Sequence, residues 1–508
     1  MRLKADGICG MIFLRKFTRM GGAQMPSVFV DLKPSLLWQH FEQILKIPHC
    51  SGHEQGLAEY IAAQAKRLNL FSKKDQTGNV LVRKPSAAGL ENAEPVILQG
   101  HLDMVCEKNS DVVHDFSKSP IKAEIRDGWV YAKGTTLGSD NGIGVASALA
   151  VMEDAALIHG PLEFIFTVDE ETGLTGARKI EPVFLKGKRL INLDSEEEGT
   201  FTIGCAGGAD SEIRFPLKRK TSKLQQAYRL KIFGLRGGHS GLDINQGRGN
   251  AIKLLTRILW QAKSSFAFEL VRIEGGNKRN AIPREAWADF LFAPAKIESL
   301  TAFIQKAYEK IRNEYRSVEK DFQYAVEPRD RKQDTPMTAA SQDALINFLF
   351  TCPHGVLSMH AEIPGLVETS TNLSIVHCAK NIAQIICSSR SSVASALEAV
   401  RNTLKAFVQL SGAKIRQPEG YPGWTPNLAS SLLKTLKAVH VQVFGAEARI
   451  VAVHAGLECG IIGEKFPGMD MISFGPTIEH PHSPEERVQI VSVENYWKLL
   501  TAVLQSLA

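Results

Sequence analysis

Four short apolar segments of this chain are each followed directly by acidic or histidine residues. The four segments are residues 96–98 (before His101 and Asp103), 164–168 (before Glu170 and Glu171), 190–193 (before Asp194) and 472–474 (before His480 and His482). Apolar runs of this length, bounded by turn residues, predict buried β-strands. In open α/β sheets, functional sites form in the crevice at the carboxyl ends of the strands. The pattern therefore predicts one sheet with these polar side chains collected at one edge.

Segments with helical spacing separate the predicted strands. Apolar residues repeat at helical spacing over residues 36–45 and 57–65, and residues 144–152 follow a glycine-rich turn at 138–142. Alternation of strands and helices predicts an α/β fold, with a mostly parallel sheet that helices cover on both faces.

The middle of the chain has a different pattern. Helical stretches at 250–261 and 297–312 mix with alternating strands such as 227–232, and a Pro- and Gly-rich stretch follows at 417–424. A chain of 508 residues also exceeds what one hydrophobic core usually serves. We therefore predict a poorly ordered N-terminal extension (1–29), an α/β catalytic domain in two parts (30–207 and 418–508), and an inserted α+β lid domain (208–417).

Composition excludes several classes of protein. The formal net charge of +6 is spread over the whole length, so nothing indicates nucleic-acid binding. No apolar run approaches the roughly 20 residues that a membrane span needs. Eight cysteines lie far apart without a CxxC pair, which predicts reduced thiols in a cytoplasmic protein, with Cys106 as a buried, inert thiol.

The candidate ligands form a nitrogen and oxygen set. Together they comprise two imidazoles and three carboxylates: His101, Asp140, Glu171, Asp194 and His482. Such a set without thiolate suits zinc, with manganese or cobalt as possible substitutes. Three carboxylates exceed the needs of one catalytic zinc, whereas two zinc ions roughly 3.5–4 Å apart would use all of them, with Asp140 shared. His480 is an alternative to His482, and the Ser-Pro that follows His482 favours His482.

Two further acids have expected roles as non-ligands. Asp103 lies two residues after His101, on the same side of an extended segment, and can accept the imidazole N–H. Glu170 is the expected general base, which takes a proton from a metal-bridging water.

With these residues in these motifs, the sequence resembles a known family, the aminoacyl-histidine dipeptidases, also called Xaa-His or cytosolic non-specific dipeptidases. They belong to the co-catalytic zinc peptidases, with carnosinases and glutamate carboxypeptidases. The resemblance runs from about residue 34 to the C-terminus. The matching motifs are QGHLDMV (99–105), TLGSDNGIG (136–144), VDEETG (168–173), NLDS (192–195), GGHSG (237–241), NKRNAIP (277–283), HAGLEC (454–459) and HSPE (482–485).

The resemblance implies roles for individual residues. It gives the same five metal ligands, the same base Glu170 and the same orienting acid Asp103, and it implies a cis Asp140–Asn141 peptide bond. It also implies that His239 reaches over the active site to stabilise an oxyanion. Asn280 and Arg390 resemble residues that hold the substrate, with Arg390 pairing to its C-terminal carboxylate.

The expected function is that of a two-zinc metallopeptidase that hydrolyses dipeptides, of Xaa-His type or with broader specificity. Two alternatives use the same site, namely removal of an acyl group from an amino acid and carboxypeptidase action on longer substrates. A third is a non-catalytic binding protein on this scaffold. His239 can act within its own chain after closure, or in a partner chain if the insert forms a homodimer, which we expect.

Overall fold

The computed structural model describes residues 27–330 and 335–508. The predicted N-terminal extension therefore lies, up to residue 26, outside the described residues. At its predicted end the structure differs, because Phe29 is buried and its ring stacks on that of Trp38 with the centroids 5.5 Å apart. The packed chain thus includes Phe29.

The strands of the described residues alternate with helices in the first and last parts of the chain. They are β1 (Phe71–Lys74), β2 (Val80–Lys84), β3 (Val96–His101), β4 (Ala123–Arg126), β5 (Trp129–Ala132), β6 (Leu162–Thr167), β7 (Arg189–Asn192), β8 (Thr200–Cys205), β9 (Gly207–Pro216), β10 (Ala227–Phe233), β11 (Gly238–His239), β12 (Glu269–Gly275), β13 (Ala281–Ile282), β14 (Ala286–Leu291), β15 (Gln323–Arg329), β16 (Gly355–Met359), β17 (Val367–Ala379), β18 (Ile382–Ser391), β19 (Lys414–Arg416), β20 (Arg449–Val453), β21 (Asp470–Ser473), β22 (Ile478–Glu479) and β23 (Arg487–Gln489).

The α-helices of the described residues are α1 (Ser35–Ile44), α2 (Gln55–Arg67), α3 (Ser139–Glu153), α4 (Glu170–Gly173), α5 (Thr175–Lys179), α6 (Ala251–Ala262), α7 (Ile297–Glu314), α8 (Ala339–Thr351), α9 (Ala394–Ser411), α10 (Ser431–Phe444), α11 (Glu458–Lys465) and α12 (Ile490–Ser506). No helix among them is both long and apolar enough to cross a bilayer.

The first and last parts of the chain share an eight-stranded sheet in the order β1-β2-β6-β3-β7-β21-β8-β20. Strand β3 pairs in parallel with β6 and β7, and β7 pairs in parallel with β21. These are the four strands that precede the acidic and histidine residues, so their carboxyl ends meet at one edge. Antiparallel pairs occur on both sides of this centre, at β1–β2, β2–β6 and β21–β8. The predicted α/β class is confirmed, with parallel pairs at the centre of the sheet and between β8 and β20 at one edge.

Helices cover both faces of this sheet. Along β6, Phe164 and Phe166 point into the core formed with α1, α3, α10 and α12, whereas Ile165 points into the core formed with α5 and α11. This alternation follows from the two-residue repeat of a strand. Full burial of each such side chain contributes about 1.5–3 kcal/mol of transfer free energy, which anchors the strands that end at the site.

The middle of the chain forms a second sheet, in the order β15-β10-β14-β12-β17-β18-β9-β19, with β16 paired to β17. All its pairings are antiparallel. Buried residues of α6, α7, α8 and α9 pack against it in a core of their own. Asn250 directly precedes helix α6, and its side chain accepts hydrogen bonds from the N–H groups of Ile252 and Lys253 and so caps the helix.

The chain passes between the two sheets twice, and the two crossings lie side by side. Isolated bridges pair Cys205 with Trp424 and Gly208 with Tyr421. A side chain at position 208 would collide with the Tyr421 hydroxyl, so the close approach requires glycine there.

Candidate metal centre

The five predicted ligand side chains lie together at the carboxyl edge of the central strands. His101 Nε2 lies 3.2 Å from Asp140 Oδ1 and 3.2 Å from Asp194 Oδ1. On the other side, His482 Nε2 lies 3.2 Å from Asp140 Oδ2 and 3.0 Å from Glu171 Oε1. Asp140 therefore stands between two histidine–carboxylate pairs, with one oxygen facing each histidine.

These side chains form two overlapping groups in which the potential ligand atoms all lie within 4.8 Å of one another. The groups are His101–Asp140–Asp194 and Asp140–Glu171–His482. Glu171 Oε1 and Asp194 Oδ1 are buried and form no hydrogen bond within the described residues, although a histidine nitrogen is close to each. Burying a carboxylate oxygen without a hydrogen-bond donor costs free energy of folding. A cation bound between the histidine nitrogen and the carboxylate oxygen would remove that cost. The donor set thus fits metal ions. The groups contain His482 and not the alternative His480.

Asp140 lies in a distorted turn at the start of α3. Gly138 has φ 73°, and the Asp140–Asn141 peptide bond is cis, as the resemblance implied. The Asn141 amide donates to the carbonyl of Leu193 at 2.7 Å, which ties this turn to the end of β7. The turn and the segment that carries Asp194 are therefore held together independently of the two carboxylates.

The Asp103 carboxylate faces His101 and also contacts other groups of the site. His101 Nδ1 lies 3.0 Å from the backbone carbonyl of Asp103 and 3.5 Å from its carboxylate. The carboxylate accepts hydrogen bonds from the backbone N–H groups of Glu170 (3.0 Å) and Glu171 (3.1 Å) and from Ser51 Oγ (2.8 Å). Burial opposes ionisation, but the hydrogen bonding and charge of His101 outweigh it and lower the pKa of Asp103 to about 2. Asp103 thereby holds the segment that bears the expected base.

The Glu170 carboxylate lies within 4.8 Å of ligand atoms of both His101 and Glu171. Burial, together with neighbouring carboxylates, raises its pKa well above the usual value.

Sequence reasoning assigned no role to two buried acids at this site. Glu458 is 1% exposed and accepts hydrogen bonds from Gln99 Nε2 (2.5 Å) and Thr167 Oγ1 (2.7 Å). Glu486 is 2% exposed and accepts hydrogen bonds from the turn that bears Asp140. Glu458 lies in the matched motif at 454–459, and Glu486 directly follows the one at 482–485. In the sequence, only this proximity to the motifs could have indicated that the two acids belong to the site.

The cysteine prediction was wrong for one pair, because Cys50 and Cys106 form a disulfide with their Cα atoms 5.7 Å apart. A bridge between Cys50 and Met104 brings the two segments together, and a separation of 56 residues gave no sign of this contact. The expectation of a reduced, inert thiol at Cys106 therefore does not hold. The other cysteines of the described residues are buried free thiols.

The three expected substrate-contacting residues lie on the inserted part of the chain, outside the two ligand groups. His239 Nδ1 lies 3.3 Å and 3.0 Å from the backbone nitrogens of Gly241 and Leu242, which donate to it, and Nε2 lies 3.4 Å from the Arg390 guanidinium. Burial and the Arg390 charge lower the pKa of His239 to about 4, so its imidazole is neutral near pH 7. Arg390 also donates to the Tyr421 hydroxyl at 2.9 Å.

Asn280 and Arg390 line the same cleft of about 490 Å³. Arg178, on the helix that follows the segment of Glu171, lines it as well, so the cleft touches both parts of the molecule. A further contact between them joins His454 Nε2 and Ser370 Oγ at 2.7 Å. Sequence reasoning found His454 only as part of a matched motif and did not identify Ser370 or Tyr421, because only the folded chain brings the three to this boundary.

The chain is similar to known peptidases in its family profile, its sequence and its fold. The profile of peptidase family M20/M25/M40 matches residues 97–506. The cytosol non-specific dipeptidase of Escherichia coli is 43% identical over 478 residues, covering 94% of this chain and 98% of that protein. The crystal structure of aminoacylhistidine dipeptidase from Vibrio alginolyticus is similar, with a TM-score of 0.88, 41% identity, and coverage of 94% of this chain and 98% of that one. An aminopeptidase from Bacillus cereus, at 15% identity and a TM-score of 0.56 over 94% of this chain and 99% of that one, shares the fold.

Proposed function

Because the chain belongs to peptidase family M20/M25/M40, we propose that it is a dipeptidase that uses two zinc ions. The observation that carries the proposal is the set of four histidine–carboxylate contacts at 3.0–3.2 Å, in which His101 and His482 each contact Asp140 and one further carboxylate. The dipeptidase names of the similar proteins from Escherichia coli and Vibrio alginolyticus support the choice of substrate.

The proposed ligands divide into two sets that share one residue. His101 and Asp194 would hold one ion, Glu171 and His482 the other, and Asp140 would contact both. The nitrogen and oxygen donors favour zinc, with cobalt or manganese as substitutes. When bound, the ions supply Lewis acidity toward the scissile carbonyl and the attacking water.

Glu170 is the proposed general base. Its carboxylate would take a proton from the attacking water and return it to the leaving amine as the C–N bond breaks. Asp103 fixes this geometry, since its side chain binds the backbone N–H groups of Glu170 and Glu171.

His239 and Arg390 form a proposed binding site for negatively charged oxygen. Because His239 Nδ1 accepts two backbone N–H groups, the ring proton resides on Nε2. Nε2–H and the guanidinium, 3.4 Å apart, are then two adjacent donors that anionic oxygens of a substrate can satisfy. We assign His239 to the oxyanion of the transition state and Arg390 to the C-terminal carboxylate of the substrate, with Asn280 in the same cleft.

A substrate panel tests this function. In the presence of zinc we expect hydrolysis of β-Ala-His, Gly-His and Leu-Gly, and at most slow hydrolysis of N-acetyl amino acids. Faster hydrolysis of N-acetyl amino acids or of longer peptides would instead identify a deacylase or a carboxypeptidase. No hydrolysis of any of them would favour a binding protein.

We further propose the arrangement of the whole protein. Residues 30–207 and 418–508 would form the catalytic domain, residues 208–417 a lid, and two copies a homodimer in the cytoplasm. The separate cores of the two sheets support the division, and the name of the Escherichia coli relative supports the location. Light scattering of the purified protein tests the dimer, and a monomer mass would refute it.

A further inference from the structure

One buried acid next to the metal centre binds an unusual number of donors. Glu486 Oε2 accepts hydrogen bonds from the backbone N–H groups of Leu137 (2.8 Å) and Gly138 (3.0 Å). Its Oε1 accepts from the backbone N–H of Ser139 (2.7 Å), from the Ser139 hydroxyl (2.6 Å) and from the backbone N–H of Asp140 (3.3 Å). The carboxylate is 2% exposed, so these contacts replace water.

Two of these donors, the backbone N–H groups of Ser139 and Asp140, lie in the first turn of α3, and those of Leu137 and Gly138 lie just before it. The first N–H groups of a helix have no partner within the helix, and a carboxylate there forms short, charge-assisted hydrogen bonds. Since Asp140 itself is one of the donors, the carboxylate fixes the backbone directly at the residue that faces both histidines.

Glu486 and the ligand His482 belong to one short segment. His482 contacts Asp140 Oδ2 at 3.2 Å, and Glu486, four residues later, holds the backbone of Asp140 from the buried side. This segment therefore contacts the side chain and the backbone of the same residue.

We propose that Glu486 is a positioning residue for both metal ions, because it orients the carboxylate that they share. This inference rests on the proposed metal centre. Side chains that orient metal ligands typically contribute a factor of about 10–100 to metal affinity. Neither the family match nor the names of the similar proteins assign Glu486 a role.

The test is zinc affinity, measured on metal-free, folded protein by competition with a chromophoric chelator. In Glu486→Gln the amide NH₂ would face backbone N–H donors, so we expect zinc affinity to fall by about 10–100-fold. Glu486→Asp keeps the charge but shortens the side chain, and it should also weaken binding. Glu485→Gln, at an exposed position of the same segment, is the matched control and should bind zinc like the wild type.

The outcomes separate the possible roles. Wild-type affinity in a folded Glu486→Gln variant would overturn the proposal, and wild-type affinity in Glu486→Asp alone would mean that charge acts rather than position. If Glu486→Gln does not fold, Ser139→Ala decides, since it removes one of the five donors. A few-fold loss of affinity in Ser139→Ala supports the proposal, and unchanged affinity overturns it. A wild-type protein that binds no zinc would refute the metal centre itself.

Discussion

Among single residues, Asp140 is the one whose position is most constrained by its contacts. Its two oxygens face two histidines, its backbone N–H binds Glu486, and the adjacent Asn141 side chain binds the end of β7. The contacts come from three parts of the chain: His101 at the end of β3, the segment with His482 and Glu486, and the residue that follows β7. A change at Asp140 therefore affects both halves of the proposed centre, whereas changes at Glu170 and Glu171 should separate catalysis from metal binding.

Glu170→Gln should retain wild-type zinc content and lower kcat by at least about 10²-fold, because the amide cannot accept the proton of the attacking water. Metal analysis and steady-state kinetics on the same preparation check this. Unchanged kcat would mean that another group activates the water.

Glu171→Ala should reduce the zinc bound per chain, because one ion would lose a proposed ligand. The Glu171 oxygen lies 3.0 Å from the other proposed ligand, His482. Glu181→Ala, which changes the same residue type at an exposed position ten residues later, is the control. Equal zinc content in the two variants would contradict the role of Glu171 as a ligand.

At the level of elements, the strands next to the site followed from their apolar runs. The predicted run at 96–98 lies in β3, and the run at 190–193 coincides with β7 to within one residue at each end. Full burial on both faces makes such strands uniformly apolar, which is a strong local signal. The convergence of their carboxyl ends could also be predicted, because functional sites of open α/β sheets form where the carboxyl ends of the strands meet.

Contacts between distant segments could not be predicted. Nothing local indicates that Cys50 meets Cys106, that Glu486 binds the turn before α3, or that His454 meets Ser370. Each depends on how separate elements pack in three dimensions. The resemblance identified His239 and Arg390, whereas the apolar pattern alone gave no reason to select either.

The element that carries His239 gives a prediction about the lid. His239→Ala should lower kcat by about 10²–10³-fold with unchanged zinc content, since it removes a donor to the oxyanion. His360→Ala is a matched control, because His360 also accepts two backbone N–H groups in a turn of the inserted region. An equal loss in both variants would indicate a structural effect.

Mixing His239→Ala with Glu170→Gln distinguishes the two geometries for His239. Recovered activity would mean that the residue acts across a dimer. No recovery would mean that it acts within its own chain.

For the whole molecule, the partly buried His354 predicts loss of stability in acid. Burial lowers the pKa of His354 to about 4, and the Lys253 charge adds to the effect. The unfolded chain takes up a proton near the ordinary pKa of about 6.5, before the folded chain does. Stability from this residue is therefore complete above that pH and is lost as the pH falls toward 4.

Melting temperatures of the metal-free protein at pH 7.5, 6 and 5 check this. We expect a progressive decrease for the wild type and a smaller one for His354→Gln, which keeps an acceptor for the Asn250 amide. His53→Gln, at an exposed position, should behave like the wild type. Identical profiles for all three proteins would contradict the account.

The most direct test of the two-zinc dipeptidase is a zinc titration of metal-free protein, with Gly-His hydrolysis followed at each addition. We predict that activity rises until two zinc ions are bound per chain, and that Glu171→Ala binds fewer ions and stays inactive throughout. Full dipeptidase activity in the metal-free protein, or in Glu171→Ala with one ion or none, would contradict the central claim.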